Sequence, residues 1–195
     1  MDKRNIEATK KALLDATAKL IAECKDPSEV TSRAITKEAG VNLAMINYCY
    51  GSREALLLAV YEEIQEDVFR CNPSFAQVLT GELSPKEKLI EVHIESMKMM
   101  LKHHKFAKVV VKYILLNREL SAKRGSLGFV MEHFNGEKSE SECRLIAHEI
   151  SSLHELAIIR YEELKDTCGI DLADEEQLRK YVTEHIDMFL SDRRT

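Results

Sequence analysis

The sequence predicts an all-α protein of about nine helices, and three observations carry that reading. Punctuation is scarce: the 195 residues include 7 Gly and 3 Pro, which favours long helices over many short strands. Apolar residues recur at three- and four-residue spacing along most of the chain, and no segment alternates as a half-buried strand would. Runs open on Ser, Thr or Asp ahead of their first apolar position. Two of these are reciprocal capping patterns, Ser84 to Glu87 and Ser139 to Glu142.

Taken in order, Ile6, Leu13, Ala16, Leu20 and Ile21 form the stripe of a first helix over 5–24, which "CKDPSEV" breaks. Thr31 caps a short second helix, "SRAITKEA", that Gly40 ends. Asn42 caps a third run. Ser52 caps a fourth that continues to about Arg70, with Glu54 in its first turn where the helix dipole favours an anion. "NPSFAQVLTGELSP" reads as an irregular connection. Pro85 at the first helical position then opens a helix bearing Ile90, His93, Ile94, Met97 and Leu101. "FAKVVVKYILL" at 106–116 is apolar nearly all round and reads as a buried helix. "SAKRGSLG" leads to a short helix near 127–134. One long helix then runs from Ser139 to Cys168-Gly169, and a last one over 174–190 is striped at Leu178, Tyr181, Val182, Ile186 and Phe189.

Composition is that of a globular chain, 45% apolar and 31% charged. No apolar run reaches the roughly 18 residues of a membrane span. Five scattered cysteines, with no Cys-x-x-Cys pair, fit reduced thiols, so a soluble, cytoplasmic protein is expected. Net charge is −5. It is unevenly spread: residues 1–56 carry nine Lys/Arg against eight Asp/Glu, and the remainder 19 against 25. The first part is therefore the one less repelled by a polyanion. The chain has no Gly-x-Ser-x-Gly, phosphate-binding loop, dinucleotide fingerprint or His-Glu-x-x-His. No histidine follows a Glu at the three-residue spacing of a di-iron bundle, so neither an enzyme nor a metal or other cofactor is expected.

The stretch "AGVNLAMINYCYGSREALLLAV", residues 39–60, stands out. It breaks a helix, makes another of about eight residues, and restarts at once. So short a helix cannot hold itself together by propensity, so its outer face must serve something. With Ile35, Ala39, Val41 and Ile46 packed inward, Asn42, Leu43, Ala44, Asn47 and Tyr48 lie on or near the outer face, with Arg33 on the preceding helix. Two short helices joined at a glycine turn are the layout of a helix-turn-helix, whose second helix enters a major groove of DNA. The next helix can press its N-terminus against a phosphate, where Ser52 and Arg53 would add a hydroxyl and a charge. Tyr50 reads as core, Tyr48 as exposed. The plain alternative is an αα packing corner in a helical interaction module that binds a partner protein instead of DNA.

These residues carry a resemblance. "ATAKLIAE", "VTSRAITKEAGVN" and "INYCYGSREALL" resemble the DNA-binding domain of the TetR family of transcriptional regulators over about residues 5–64. Thr36 stands where the family usually has Ala, Asn42 in place of Ser, Asn47 in place of Tyr, Cys49 in place of His or Tyr, Tyr50 in place of Phe, and Arg53 in place of Lys. The resemblance implies a helix-turn-helix domain over 1–51, linked through a long helix 52–71 to a helical-bundle ligand-binding and dimerisation domain over 72–195. It implies a homodimer on a palindromic double-stranded DNA operator, acting as a repressor and released by a small-molecule effector. Thr31, Arg33, Asn42, Leu43, Ala44, Asn47, Tyr48, Ser52 and Arg53 would face DNA. The last two long helices would form the dimer interface through Leu153, Ala157, Tyr161, Leu178, Val182 and Phe189. Met97, Met100, Phe106, Tyr113 and Phe129 could line an adaptable apolar effector pocket, with His93 and His133 as its polar groups. Plain core packing is the competing reading for each of them.

Overall fold

The computed structural model describes residues 3–70, 78, 80–121 and 125–190. All regular structure among them is helical: α1 (Lys3–Glu23), a 3₁₀ turn (Pro27–Glu29), α2 (Ser32–Ala39), α3 (Ala44–Tyr50), α4 (Arg53–Arg70), α5 (Pro85–Lys102), α6 (His104–Asn117), α7 (Gly125–Phe134), α8 (Glu140–Ile159), α9 (Tyr161–Cys168) and α10 (Glu175–Phe189). Most of the expected irregular connection after α4, including Cys71, lies outside the described residues, as does part of "SAKRGSLG".

The chain forms two compact units. The first holds Met1–Asp67 and His103–Leu116, the second Val68–Lys102 and Asn117–Thr195. In unit 1, α1 packs on both α2 and α3, and α2 on α3. Leu13, Ile35, Ile46, Leu56 and Leu57 are sealed from solvent at the centre. The nearly all-apolar segment 106–116 is helix α6, and it belongs to this unit through Phe106, Ala107, Val110, Val111 and Ile114. The Phe106 ring meets Tyr61 of α4 edge-on at 5.9 Å.

In unit 2, α5 packs against α7, α8 and α10, and α8 against α7, α9 and α10. Both expected capping boxes form: Ser84 N–H donates to Glu87 at 2.8 Å and Ser139 N–H to Glu142 at 2.8 Å, and each serine hydroxyl oxygen accepts the glutamate's N–H in return. The serine hydroxyls hold both glutamate carboxyls below their ordinary range. The Arg118–Glu155 pair at 2.6 Å pins the segment after α6 to α8, and Arg179–Glu91 at 2.5 Å joins α10 to α5.

One long helix was expected from 139 to 167, but there are two. Arg160 leaves helical geometry at φ −103°, ψ 19°, which separates α8 from α9 and makes two helices where one was expected. Neither Gly nor Pro marks the break. Tertiary bonds explain it: Tyr161 donates its hydroxyl to Asp171 at 2.8 Å and Lys165 pairs with Asp171 at 2.6 Å, turning α9 back onto the loop that buries Leu172. Those bonds hold the Asp171 carboxyl down at about 2.

The α2–α3 turn rests on a left-handed residue. Gly40 sits at φ +65° and donates to the Lys37 and Thr36 carbonyls. A Cβ there meets open space, so the cost of a side chain is conformational alone. Gly40→Ala is expected to lower stability by about 1–2 kcal/mol, read as a shifted urea midpoint. An unchanged midpoint would show that the turn relaxes into another conformation.

Candidate nucleic-acid interface

The outer face of α2 and α3 is assembled by local chemistry. Thr31, extended at ψ 155°, accepts the Ala34 N–H on its hydroxyl at 3.2 Å and so starts α2. Asn42 accepts the Ala44 N–H on its side-chain oxygen at 2.9 Å. It thus holds the entry to α3, although its successor Leu43 is already in helical geometry. Thr36 at the buried alanine position of the resemblance satisfies its hydroxyl on the Ser32 carbonyl at 3.0 Å. Gly51 at φ +81° closes α3 after seven residues, and the Ser52 hydroxyl then caps α4 by accepting the Ala55 N–H at 3.0 Å.

With Ile35 and Ile46 turned inward, α3 presents Leu43, Ala44, Asn47 and Tyr48 to solvent. Leu43 is 48% and Tyr48 62% exposed, a large apolar residue and a full phenol ring left open on one short helix. Arg33 and Asn42 are exposed on the same two-helix motif. Thr31 and Ser52 lie at its edges, each with a hydroxyl oxygen engaged in capping and a proton still available to donate.

Two aromatic expectations separate cleanly. Tyr50 is half-buried and donates to the Lys10 carbonyl of α1 at 2.9 Å, and burial pushes its phenol up to about 12. Tyr48, two residues earlier, is the solvent-facing ring.

Arg53, expected to add a charge at a phosphate, is engaged within the protein. Its Nε donates to the Val30 carbonyl at 2.5 Å, one terminal nitrogen to the Ser28 carbonyl at 3.0 Å, and the other to Glu54 at 3.0 Å. The guanidinium is a latch between the start of α4 and the loop before α2, with three of its N–H groups engaged within the protein. The sequence could not show this, because the carbonyls it holds lie 23 and 25 residues away. Lys19 makes a second tie, α1 to α2, through Glu38 at 2.6 Å.

The residues expected to line an effector pocket fall in both units. His93, Met97 and Met100 share the buried face of α5, and Phe129 and His133 are half-buried on α7. Phe106 and Tyr113 lie on α6 in unit 1, where Phe106 is core against Tyr61. The expected dimer-face residues also divide. Leu178 and Val182 are closed off inside unit 2 at 1% and 0% exposure, and Ala157 at 4%, so these three are core of the protomer and the expectation for them is corrected. Tyr161 and Phe189 are half-buried, and Leu153 is exposed. The stripe on α10 showed which face is buried but not against what. Leu145, Leu156 and Met188, which the sequence reading passed over as interface residues, are exposed at 52%, 44% and 63%.

A short, solvent-facing second helix set by a glycine turn and packed on α1 and α2 defines a helix-turn-helix of the DNA-binding kind. The comparisons agree. Residues 13–60 match the family described as bacterial regulatory proteins, tetR family. Over the whole length of both chains the fold is similar to the crystal structure of a TetR transcriptional regulator from Rhodococcus sp. RHA1, with a TM-score of 0.66 at 15% identity. No curated protein matches the sequence. Residues 13–60 thus match the DNA-binding module of the tetR family, which supports a DNA-binding transcriptional regulator, and the whole chain is similar in fold to one. Among the described residues no helix is long and apolar enough to cross a membrane.

If Arg53 is a latch, Arg53→Lys loses the fork that spans two carbonyls and should destabilise the protein by roughly 1–2 kcal/mol. Chemical denaturation checks this. Unchanged stability with weaker DNA binding would return Arg53 to the interface.

Proposed function

We propose that this regulator is a homodimeric repressor that reads a palindromic operator with α3 and leaves it on binding a small-molecule effector. The observation that carries this reading is the open face of α3: Leu43, Ala44, Asn47 and Tyr48 project from a helix too short to persist without its support. A groove-binding helix needs only its first turns to reach base edges. Leu43 and Ala44 at its start suit contact with a thymine methyl, and Asn47 suits a bidentate contact with adenine. Tyr48, Thr31 and the Asn42 amide nitrogen would take phosphates, and Arg33 a base or a phosphate. Arg53 holds the loop behind them and is left out of the contact set.

Dimerisation is proposed through the exposed apolar residues of unit 2, Leu145, Leu153 and Leu156 on α8 and Met188 on α10. The effector is proposed to bind unit 2, on the α5 face that carries His93 among Met97 and Met100. The methionine-rich, adaptable face of α5 supports that placement. Release follows only if the effector prefers a dimer whose two α3 helices no longer match successive major grooves.

The reading is tested on DNA affinity. Arg33→Ala is expected to weaken binding by about 1–3 kcal/mol with relaxed preference at one base position if it reads a base. If it takes a phosphate, all sequences weaken alike and the salt slope falls by about one. Unchanged binding would remove Arg33 from the interface. Tyr48→Phe should weaken binding at unchanged unfolding midpoint, because its ring is open to solvent. A large stability loss would mean that the hydroxyl is holding the fold.

A further inference from the structure

Away from the DNA-facing motif, unit 2 buries a chain of polar side chains drawn from four helices. Ser126 Oγ of α7 lies 3.1 Å from His93 Nε2 of α5, and His93 Nδ1 lies 2.9 Å from His154 Nδ1 of α8. His154 is 2% exposed and His93 7%. The His154 ring stacks against His185 of α10 at 5.8 Å, and Tyr181 meets His185 edge-on at 4.0 Å. His154 Nε2 and His185 Nδ1 have no hydrogen-bond partner among the described residues.

The proton count of this chain is constrained. A bond between two Nδ1 atoms needs one N–H and one lone pair, so the pair is complete with both imidazoles neutral. In one arrangement the Ser126 hydroxyl donates to His93, which donates to His154. In the other, both bonds reverse and His154 donates to His93. In the first arrangement His154 already carries its proton on Nε2, so a further proton must go to Nδ1 and displace the bond from His93; in the second, a proton added at Nε2 makes a buried cation with no acceptor there among the described residues. With both rings protonated, two N–H groups face each other at 2.9 Å and the contact is lost.

The surroundings also oppose charge. From α5 the group facing His154 is His93, and from α10 they are His185 and Tyr181; the Ser126 hydroxyl of α7 reaches His93. Beside His154 on α8, Glu155 gives its carboxylate to Arg118. Burial, first, and then His93 and His185 hold the His154 imidazole well below its ordinary value. Burial also lowers His185, against a smaller opposing pull from Glu184.

We infer that the Ser126–His93–His154 chain makes unit 2 proton-responsive: it locks α5 against α8 while its imidazoles are neutral and releases them on acidification. The sign follows from linkage. The unfolded or opened state takes up protons near the ordinary imidazole value of about 6.5, while the native cluster refuses them until much lower pH. The stabilisation is therefore complete above about pH 6.5 and is lost as pH falls below it.

The test is run on the full chain between pH 7.5 and 5.5, above the main carboxylate range. Nitrogen-15 imidazole spectra are expected to keep His154 neutral throughout, with free imidazole in the same tube as the titrating reference. Amide exchange in α5 and α8, corrected for intrinsic rates, should report an opened population that rises about tenfold per pH unit for each imidazole kept neutral. His154→Asn, which can keep a nitrogen or oxygen facing His93 but does not titrate, should flatten that rise. The inference is overturned if native His154 titrates near 6.5, if α5 and α8 protection does not change with pH, or if the variant keeps the parent's dependence. Should the variant not fold, the spectra and exchange of the parent chain decide alone.

Discussion

Seven residues are too few to make a stable helix in water, and the face proposed to read DNA is carried by a helix of seven residues. Everything that holds it comes from outside it. Ile46 is 2% exposed, and Ile35 of α2 and Leu13 of α1 are fully buried. Burying a side chain of that size is worth about 1.5–3 kcal/mol, which offsets much of the cost of nucleating so short a helix. Gly40 and Gly51 permit the chain to stop and restart without strain, and Asn42 and Ser52 satisfy the N–H groups so exposed. Tyr50 ties the end of α3 to α1, and Arg53 ties the start of α4 to the loop before α2. The outer positions are thus relieved of any structural task, which is why Leu43 and Tyr48 can stay open.

Unit 2 solves a different problem. Its helices are long enough to be specified by capping and periodicity, and its core is mostly aliphatic and methionine-rich. Against that background the buried Ser126, His93 and His154 stand out, together with Ser151 and Glu155. Polar groups in a dry core are costly unless paired, and the Ser126–His93–His154 chain is paired with one ring nitrogen of His154 to spare. A regulator gains from an interior whose packing is conditional, since a change of state there can be felt where copies or effectors meet.

Much of the motif was legible in the sequence because its signals are local. Thr31 and Gly40 bracket α2 at its observed ends, and Ser139 and Glu142 mark the start of α8. What escaped the sequence depends on distant partners. The break at Arg160 is imposed by Asp171, the role of Arg53 by two carbonyls on an earlier loop. His93 and His154 are 61 residues apart, so spacing along one helix could not pair them. Periodicity on α10 marked Leu178 and Val182 as buried but could not tell the protomer's own core from a surface between copies.

The most direct test of the account is to incubate the full chain with fragmented DNA from its own source at about physiological salt and sequence what is retained. The account predicts enrichment of a palindromic site whose half-sites lie one helical turn apart, about 34–36 Å, or a multiple of it. Retention that is indifferent to sequence and vanishes as salt rises would reveal electrostatic binding alone. That result would contradict the claim that the open face of α3 reads base edges.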